Sequence, residues 1–124
     1  MATQTPTATL HSWKSVEKQE VTTGLVRQFI TASRMTIARL EMKRGCSVPS
    51  HSHENEQVTM VLSGALKFDV AGKEIVVRSG ETLELPPHVP HGVVEVLEDS
   101  QVVDVFSPIR QDWIDGTDTY FKKR

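Results

Sequence analysis

The chain is short of most features that would place it in an obvious class. It has one cysteine, Cys46, so no intrachain disulfide can form and the disulfide framework of a small secreted domain is excluded. It has no basic excess. Lys and Arg number 14 against 16 Asp and Glu, a formal net charge of −2, which argues against nucleic acid and anionic membranes as partners. No apolar run approaches the length of a membrane span. The opening stretch, MATQTPTATLHSW, lacks the basic start and apolar centre of a secretory signal, and the expected location is the cytoplasm. Neither a long helical period nor an internal repeat is visible. With 38% hydrophobic and 24% charged residues, the 124-residue chain is lean but ordinary for one domain with a single core.

What the sequence does contain is a succession of short runs rich in β-formers, punctuated by turn residues. Residues 24–31, 35–42, 57–63, 65–70, 74–78, 82–85, 93–97 and 101–106 are expected to be strands. Gly64 is expected to turn the chain between two of them, Ala71-Gly72-Lys73 to form a tight turn, and Glu98-Asp99-Ser100 to link the last pair. Arg110 to Ile114 has room for one helical turn. Turn signals every ten residues or so mean a sandwich or barrel, an all-β fold. Residues 1–12, rich in Thr, are expected to be a flexible N-terminal tail, with His11 a solvated residue at its edge, and residues 13–124 a single domain. Trp13 and Val16 are anchors for a sheet edge or a partner subunit. Met35, Met42 and Met60 are expected to fill the core. Cys46 has no general base nearby and is read as structural. Phe121 to Arg124 is expected to be a solvated end.

Two stretches carry the chemistry. In the first, His51 and His53 stand one residue apart, a spacing that aims two imidazoles to one side of a strand, and Gln57 shares their parity if the strand runs on. In the second, His91 follows a strand and the Pro86-Pro87 turn, from where it can swing in from a neighbouring strand. Three imidazoles and an amide oxygen that converge describe a metal site on a β-scaffold. Glu56, the alternative to Gln57, has the wrong parity. The donor types suit one divalent transition metal, Ni, Zn, Fe, Mn or Co, without choosing among them. Because all four donors are neutral, the metal's charge stays uncompensated. That favours Lewis-acid pull on a substrate oxygen and tilts away from oxygenase chemistry.

These stretches resemble the two motifs of the cupin superfamily. The first motif reads Gly, five residues, His-x-His, three or four residues, Glu, six residues, Gly, and Gly45, His51, His53, Gln57 and Gly64 keep its spacing. The second reads Gly, five residues, Pro-x-Gly, two residues, His, three residues, Asn, and is matched by Gly80, Pro86, His91 and Glu95. Gln57 stands in place of the usual glutamate ligand, His88 in place of the motif glycine, and Glu95 in place of the asparagine. The resemblance spans roughly residues 24 to 110. It implies an all-β double-stranded β-helix, or jelly-roll barrel, with the metal on His51, His53, Gln57 and His91. It also implies pairing into a homodimer through sheet edges, with the segment around Trp13 a candidate contact.

The last expected strand adds a third signature. Asp104 and Phe106 share one face and suit a pocket wall, whereas Val103 and Val105 share the other and suit packing between sheets. Pro108 stops the strand, and Arg110 follows closely enough to lean over the same mouth, a setting for a small anionic molecule. The segment Asp104-Val105-Phe106-Ser107-Pro108-Ile109-Arg110-Gln111-Asp112 is similar to that of the KdgF-type cupins of pectin and alginate breakdown. Those proteins linearise 4,5-unsaturated monouronates and use a glutamine beside three histidines. The resemblance implies that Asp104, Phe106 and Arg110 are the catalytic residues and a small sugar acid the substrate. From the residues alone, Asp104 is equally a buried acid held by hydrogen bonds, and Arg110 equally a partner of Asp112 or of a backbone carbonyl. His88 is read as a turn residue, with a substrate contact as the alternative. Two other readings of the whole stand beside the uronate enzyme: an oxygenase acting on an enol or thiol, and a cupin that binds a sugar or metabolite without catalysis.

Overall fold

A computed structural model of the chain describes residues 7–118. After a single 3-10 turn at Trp13–Ser15 come eight strands: β1 Gln19–Thr22, β2 Leu25–Thr31, β3 Thr36–Met42, β4 Val48–His51, β5 Glu56–Val70, β6 Lys73–Arg78, β7 Thr82–Leu85 and β8 His91–Ser107. A short helix, α1 Gln111–Asp115, follows. Among the described residues no helix is long and apolar enough to cross a membrane.

Two long strands organise everything else. β5 and β8 run antiparallel from Glu56↔Ser107 to Val70↔His91. Along its first half β5 carries β7 on its other edge, and along its second half β6. The second half of β8 carries β3, then β2 and β1, and its first half carries β4. The result is two sheets, β1-β2-β3-β8-β5-β7 and β4-β8-β5-β6, that share their central strands. Register shifts between Val61 and Phe68 let the shared pair bend from one sheet into the other, as bulges do. Leu25, Met42, Val61 and Val102 from the first sheet then pack on Leu66, Phe68, Val77, Val93 and Val96 from the second. Each such side chain removed from water contributes about 1.5–3 kcal/mol. The architecture is the all-β jelly-roll barrel expected.

Two glycines make the bend and the strand crossing possible. Gly64 has φ +93°, and a Cβ there would collide with the Ser100 side chain and with the Asp99 carbonyl oxygen of β8. At Gly92, next to His91, a Cβ would lie 2.7 Å from the Val48 carbonyl oxygen, where β4 passes closest.

Several expectations need correction. Gly64 does not turn the chain back. The strand runs through it, and the residues expected as two strands are one. Likewise Glu98-Asp99-Ser100 is no loop but the bend within β8. A bulged strand and a hairpin carry the same turn residues, so only the pairing partner separates them. The Val103 and Val105 face is half-buried and points outward, whereas the pocket parity of Val102, Asp104 and Phe106 also supplies the core. Met42 is buried, Met60 half-buried and Met35 exposed, so Met35 is not core filler. β1 had no expected counterpart. Trp13 and Val16 dock on this chain's own sheet. Both backbone carbonyls accept from the Gln28 amide, at 2.7 and 2.9 Å, and the Arg39 guanidinium lies over the Trp13 ring. Of the expected tail, residues 7–12 are described and exposed, His11 among them. Phe121 to Arg124 lies outside the described residues.

Replacing Gly64 by alanine is expected to lower unfolding stability by about 2 kcal/mol or more, since a strained φ and a backbone collision combine. Urea unfolding curves of the variant and the parent measure it, and an unchanged midpoint would contradict the bend geometry.

Candidate functional site

The first half of the barrel presents rungs of inward side chains, set by strand register. Gln57 lies opposite Phe106, and Thr36 opposite Phe106 on the other side. The next rung is Thr59, Asp104, Ala38 and Phe29, and the next Val61, Val102, Leu40 and Arg27. Gln57, Thr59, Asp104 and Arg27 from these rungs line one cavity together with His51 and His91.

The histidines reach it from different elements. β4 ends at His51, His53 follows in the connection, Gln57 is the second residue of β5, and His91 opens β8 directly opposite His51. Strand alternation therefore does not align His51, His53 and Gln57, as the spacing suggested. The connection after β4 does. Their rings nonetheless converge, with centroids 4.5 Å apart for His51 and His91, 5.0 Å for His53 and His91, and 5.6 Å for His51 and His53. One ring nitrogen from each lies within 4.8 Å of those of the other two.

Backbone carbonyls orient all three rings. His51 Nδ1 lies 2.8 Å from the Pro49 oxygen, His91 Nδ1 2.9 Å from the Val89 oxygen, and His53 Nδ1 3.0 Å from the Asn55 oxygen. A carbonyl only accepts, so each Nδ1 carries the hydrogen and each Nε2 the lone pair. Gln57 is oriented just as firmly. Its Nε2 donates to Thr59 Oγ1 at 2.9 Å, which turns its Oε1 toward His53 Nε2 at 3.1 Å. In this tautomer two acceptors face each other, and the buried His91 Nε2 has no hydrogen-bond partner among the described residues. Lone pairs gathered around one point without a proton between them fit a divalent cation. Glu56 is exposed, which disfavours it against Gln57. Burial is the main cause that pulls both His51 and His53 down to about 4, helped by the nearby Arg110 charge, and it lowers His91 as well.

Asp104 is fully inside. Thr59 Oγ1 donates to its Oδ1 at 2.7 Å, so a chain of bonds runs from Asp104 through Thr59 to the Gln57 amide. Burial pushes the Asp104 carboxyl up to about 6, against the opposing pull of Thr59 and Arg110. Phe106 meets His53 edge-on, with centroids 5.7 Å apart. Arg110 is buried. Its backbone N–H donates to Thr36 Oγ1, and its fork grips Asp112 with two bonds of 2.9 and 2.8 Å. Its guanidinium also lies over the Phe106 and Trp113 rings, at 4.8 and 4.4 Å. The pairing with Asp112 noted from sequence is therefore present, and Arg110 stands on the cavity wall while making it. Burial would raise Asp112, but the Arg110 bonds override it and hold the carboxyl below its usual range.

His88 is exposed with φ +67°, the conformation that the family's glycine adopts freely. Its backbone N–H donates to the His53 carbonyl, so it acts as a turn residue. Cys46 packs half-buried against the core, in keeping with a structural role. Sequence reasoning missed Thr59, Asn55, Trp113 and Arg27. Thr59 was findable, as it shares the parity of Gln57. Asn55 was not. Its amide reaches across to the Pro108 and Ile109 carbonyls, at 2.6 and 3.1 Å, tying the His53 connection to the segment that carries Arg110.

The family profile described as Cupin domain matches residues 38–106, more than half of the chain. The chain belongs to the cupin family. This cupin is 26% identical over 98 residues to the pectin degradation protein KdgF of Dickeya dadantii (strain 3937), over 77% of this chain and 89% of the relative. Its fold matches the structure of KdgF from Halomonas sp. with a TM-score of 0.78 and 28% identity, over 86% of this cupin and 99% of that chain. An RmlC-like cupin from Shewanella frigidimarina NCIMB 400 matches with a TM-score of 0.78 and 27% identity, over 86% and 96%. The chain is a KdgF-like cupin with three histidines grouped as a metal could be held.

Removing one donor is expected to cost this cupin at least the 10–100-fold in metal affinity typical of losing an outer partner of a metal site. Competition with a chelator for the His91→Ala protein checks it, and undiminished affinity would reject the donor set. The pH dependence has a defined sign. Only neutral imidazole binds metal, and lowered pKa values keep His51 and His53 neutral in mild acid. Protonation of His51 and His53 is therefore expected to cost affinity only as the pH approaches 4, and protonation of His91, also lowered, only below the ordinary value of about 6.5.

Proposed function

We propose that this cupin is a metal-dependent isomerase that opens and ketonises small unsaturated sugar acids, the 4,5-unsaturated monouronates. The observation that carries the reading is the company the neutral donor cluster keeps. His51, Gln57 and His91 share one cavity with Asp104, Phe106 and Arg110, the residues that mark the KdgF branch. The likeness to KdgF of Dickeya dadantii, a pectin degradation protein, supports uronates as the substrate class.

In this reading His51, His53 and His91 hold the metal through Nε2, and Gln57 through Oε1. The bound divalent cation supplies Lewis-acid polarisation of substrate oxygens. Every remaining step belongs to the protein. Arg110, fixed by Asp112, sets positive charge beside the substrate carboxylate. Asp104 takes the proton of the anomeric hydroxyl. The bond from the anomeric carbon to the ring oxygen breaks, its electrons pass to that oxygen, and an aldehyde and an enolate result. Asp104 then returns the proton to the vinylic carbon, leaving a ketone, so atoms and charge balance as an isomerisation requires. Thr59, bonded to Oδ1, holds the Asp104 carboxyl in place toward the cavity. Phe106 and Trp113, both buried, wall the cavity against water. We further place a homodimer contact along β1, the edge strand of its sheet, beside the Trp13 segment.

Metal-loaded protein given the unsaturated monouronate is expected to speed loss of the enol absorbance over the spontaneous rate. Asp104→Asn is expected to lower kcat by about 100-fold or more while metal content stays constant. No acceleration by a protein of verified metal content would reject the reading. Oxygen consumption by an iron-loaded sample would favour an oxygenase instead.

A further inference from the structure

One charged group in the cavity has no part in the chemistry above. Arg27 lies on β2, on the inward rung of Leu40 and Val102, and is buried. Its guanidinium carbon is 4.1 Å from the centre of the Trp113 ring and 5.5 Å from that of Phe29. Since Arg110 meets the same indole at 4.4 Å, two buried cations share one aromatic ring.

The two cations are matched unequally. Arg110 holds Asp112 with two short bonds. Arg27 meets the neutral Gln19 oxygen at 3.1 and 3.3 Å, and its carboxylate contact is a single one, Asp118 at 3.4 Å, the outer edge of hydrogen bonding. The side chains of this pair are only 8% and 12% exposed. A cation buried so deeply is usually answered by closer and more numerous acceptors. Independently, the Trp113 Nε1–H is buried and has no acceptor among the described residues. A buried indole N–H normally finds one. A fork with a weakly held carboxylate and an unanswered N–H therefore lie on the same cavity wall. Both point to a ligand that brings carboxylate oxygens. Space gives the same indication. The free volume of the cavity is about 60 Å³, room for a few waters at about 10–15 Å³ each. Room for a few waters is room for a carboxylate group to displace them.

We propose that Arg27 and the Trp113 N–H form a carboxylate subsite, and that Asp118 is the internal carboxylate which the ligand's carboxylate replaces. The subsite deepens the sugar-acid reading and rests on the cavity being its binding site. It assigns direct contact with the carboxylate to Arg27 and leaves Arg110, whose fork grips Asp112, as a fixed neighbouring charge.

Calorimetric titration of the full chain, with metal and after chelation, tests the proposal with three probes: glucuronate, the linear dicarboxylate glutarate, and neutral glucose. Asp118→Asn keeps the side-chain shape but removes the competing charge. It is expected to tighten both carboxylates about threefold to tenfold, with or without metal, and to leave glucose unchanged. Arg27→Lys keeps the charge but loses the fork, and is expected to weaken both carboxylates by about tenfold. If Asp118→Asn leaves carboxylate binding unchanged or weaker, or tightens it only when metal is present, the subsite is overturned. Tightening by Asp118→Asn in a protein that never turns over the unsaturated uronate would uphold the subsite and reject the enzyme reading. Asp118→Asn decides the matter even if Arg27→Lys folds poorly.

Discussion

The antiparallel ladder between β5 and β8 is the constraint on which the rest depends. Among the described residues it is the only pairing that passes through both sheets, and the inward rungs of the cavity are set by its register. Gln57 opposite Phe106, and Thr59 opposite Asp104, are cross-strand neighbours because of it, and His91 enters at its far end. A slip of one residue would turn each of these side chains to solvent. The bulges that bend the ladder thus do two things at once. They close the barrel over its apolar core, and they swing the start of β8 round so that His91 meets His51 from β4.

Within that frame the donors are fixed by small, local bonds. Each imidazole is turned by a backbone carbonyl two residues away, and the Gln57 amide by Thr59. Orientation of this kind is preorganisation, since little remains to be ordered when a cation arrives. Two buried guanidinium groups and the Asp104 carboxylate line the same cavity, with Asp104 tied to the Thr59 hydroxyl and the two guanidinium groups bonded to Asp112 and Asp118. A divalent cation held by the proposed neutral donors would make the balance of charge inside positive. Low dielectric would make that balance count for more than at the surface, which is the physical basis for proposing a small anion as the ligand.

Much of the site was legible in advance, and the exceptions have physical causes. The two histidine stretches are compact in sequence, so spacing exposes them, whereas the Asp104 to Arg110 segment stood out through its resemblance to the KdgF-type cupins. The reasoning from spacing was nonetheless wrong in one respect. His51 and His53 converge through the connection after β4 and not through strand alternation. Gly64 and Glu98-Asp99-Ser100 were misread as turns, because a bend inside a long strand draws on the same residues as a hairpin. Thr59 sat two positions after Gln57 and was open to the same parity argument. Asn55, Trp113 and Arg27 were not, since each acts on partners distant in sequence: Asn55 on Pro108 and Ile109, Trp113 on Arg27 and Phe29.

The sequence by itself determined the fold class and the kinds of atom at the site, because motif spacing, turn residues and donor chemistry are local properties. Only the tertiary structure decided which nitrogen of each histidine carries its lone pair, that Arg110 is already gripped by Asp112, and that a second arginine stands in the same wall. Those facts depend on groups many residues apart being brought within hydrogen-bond distance, and no local pattern encodes that distance.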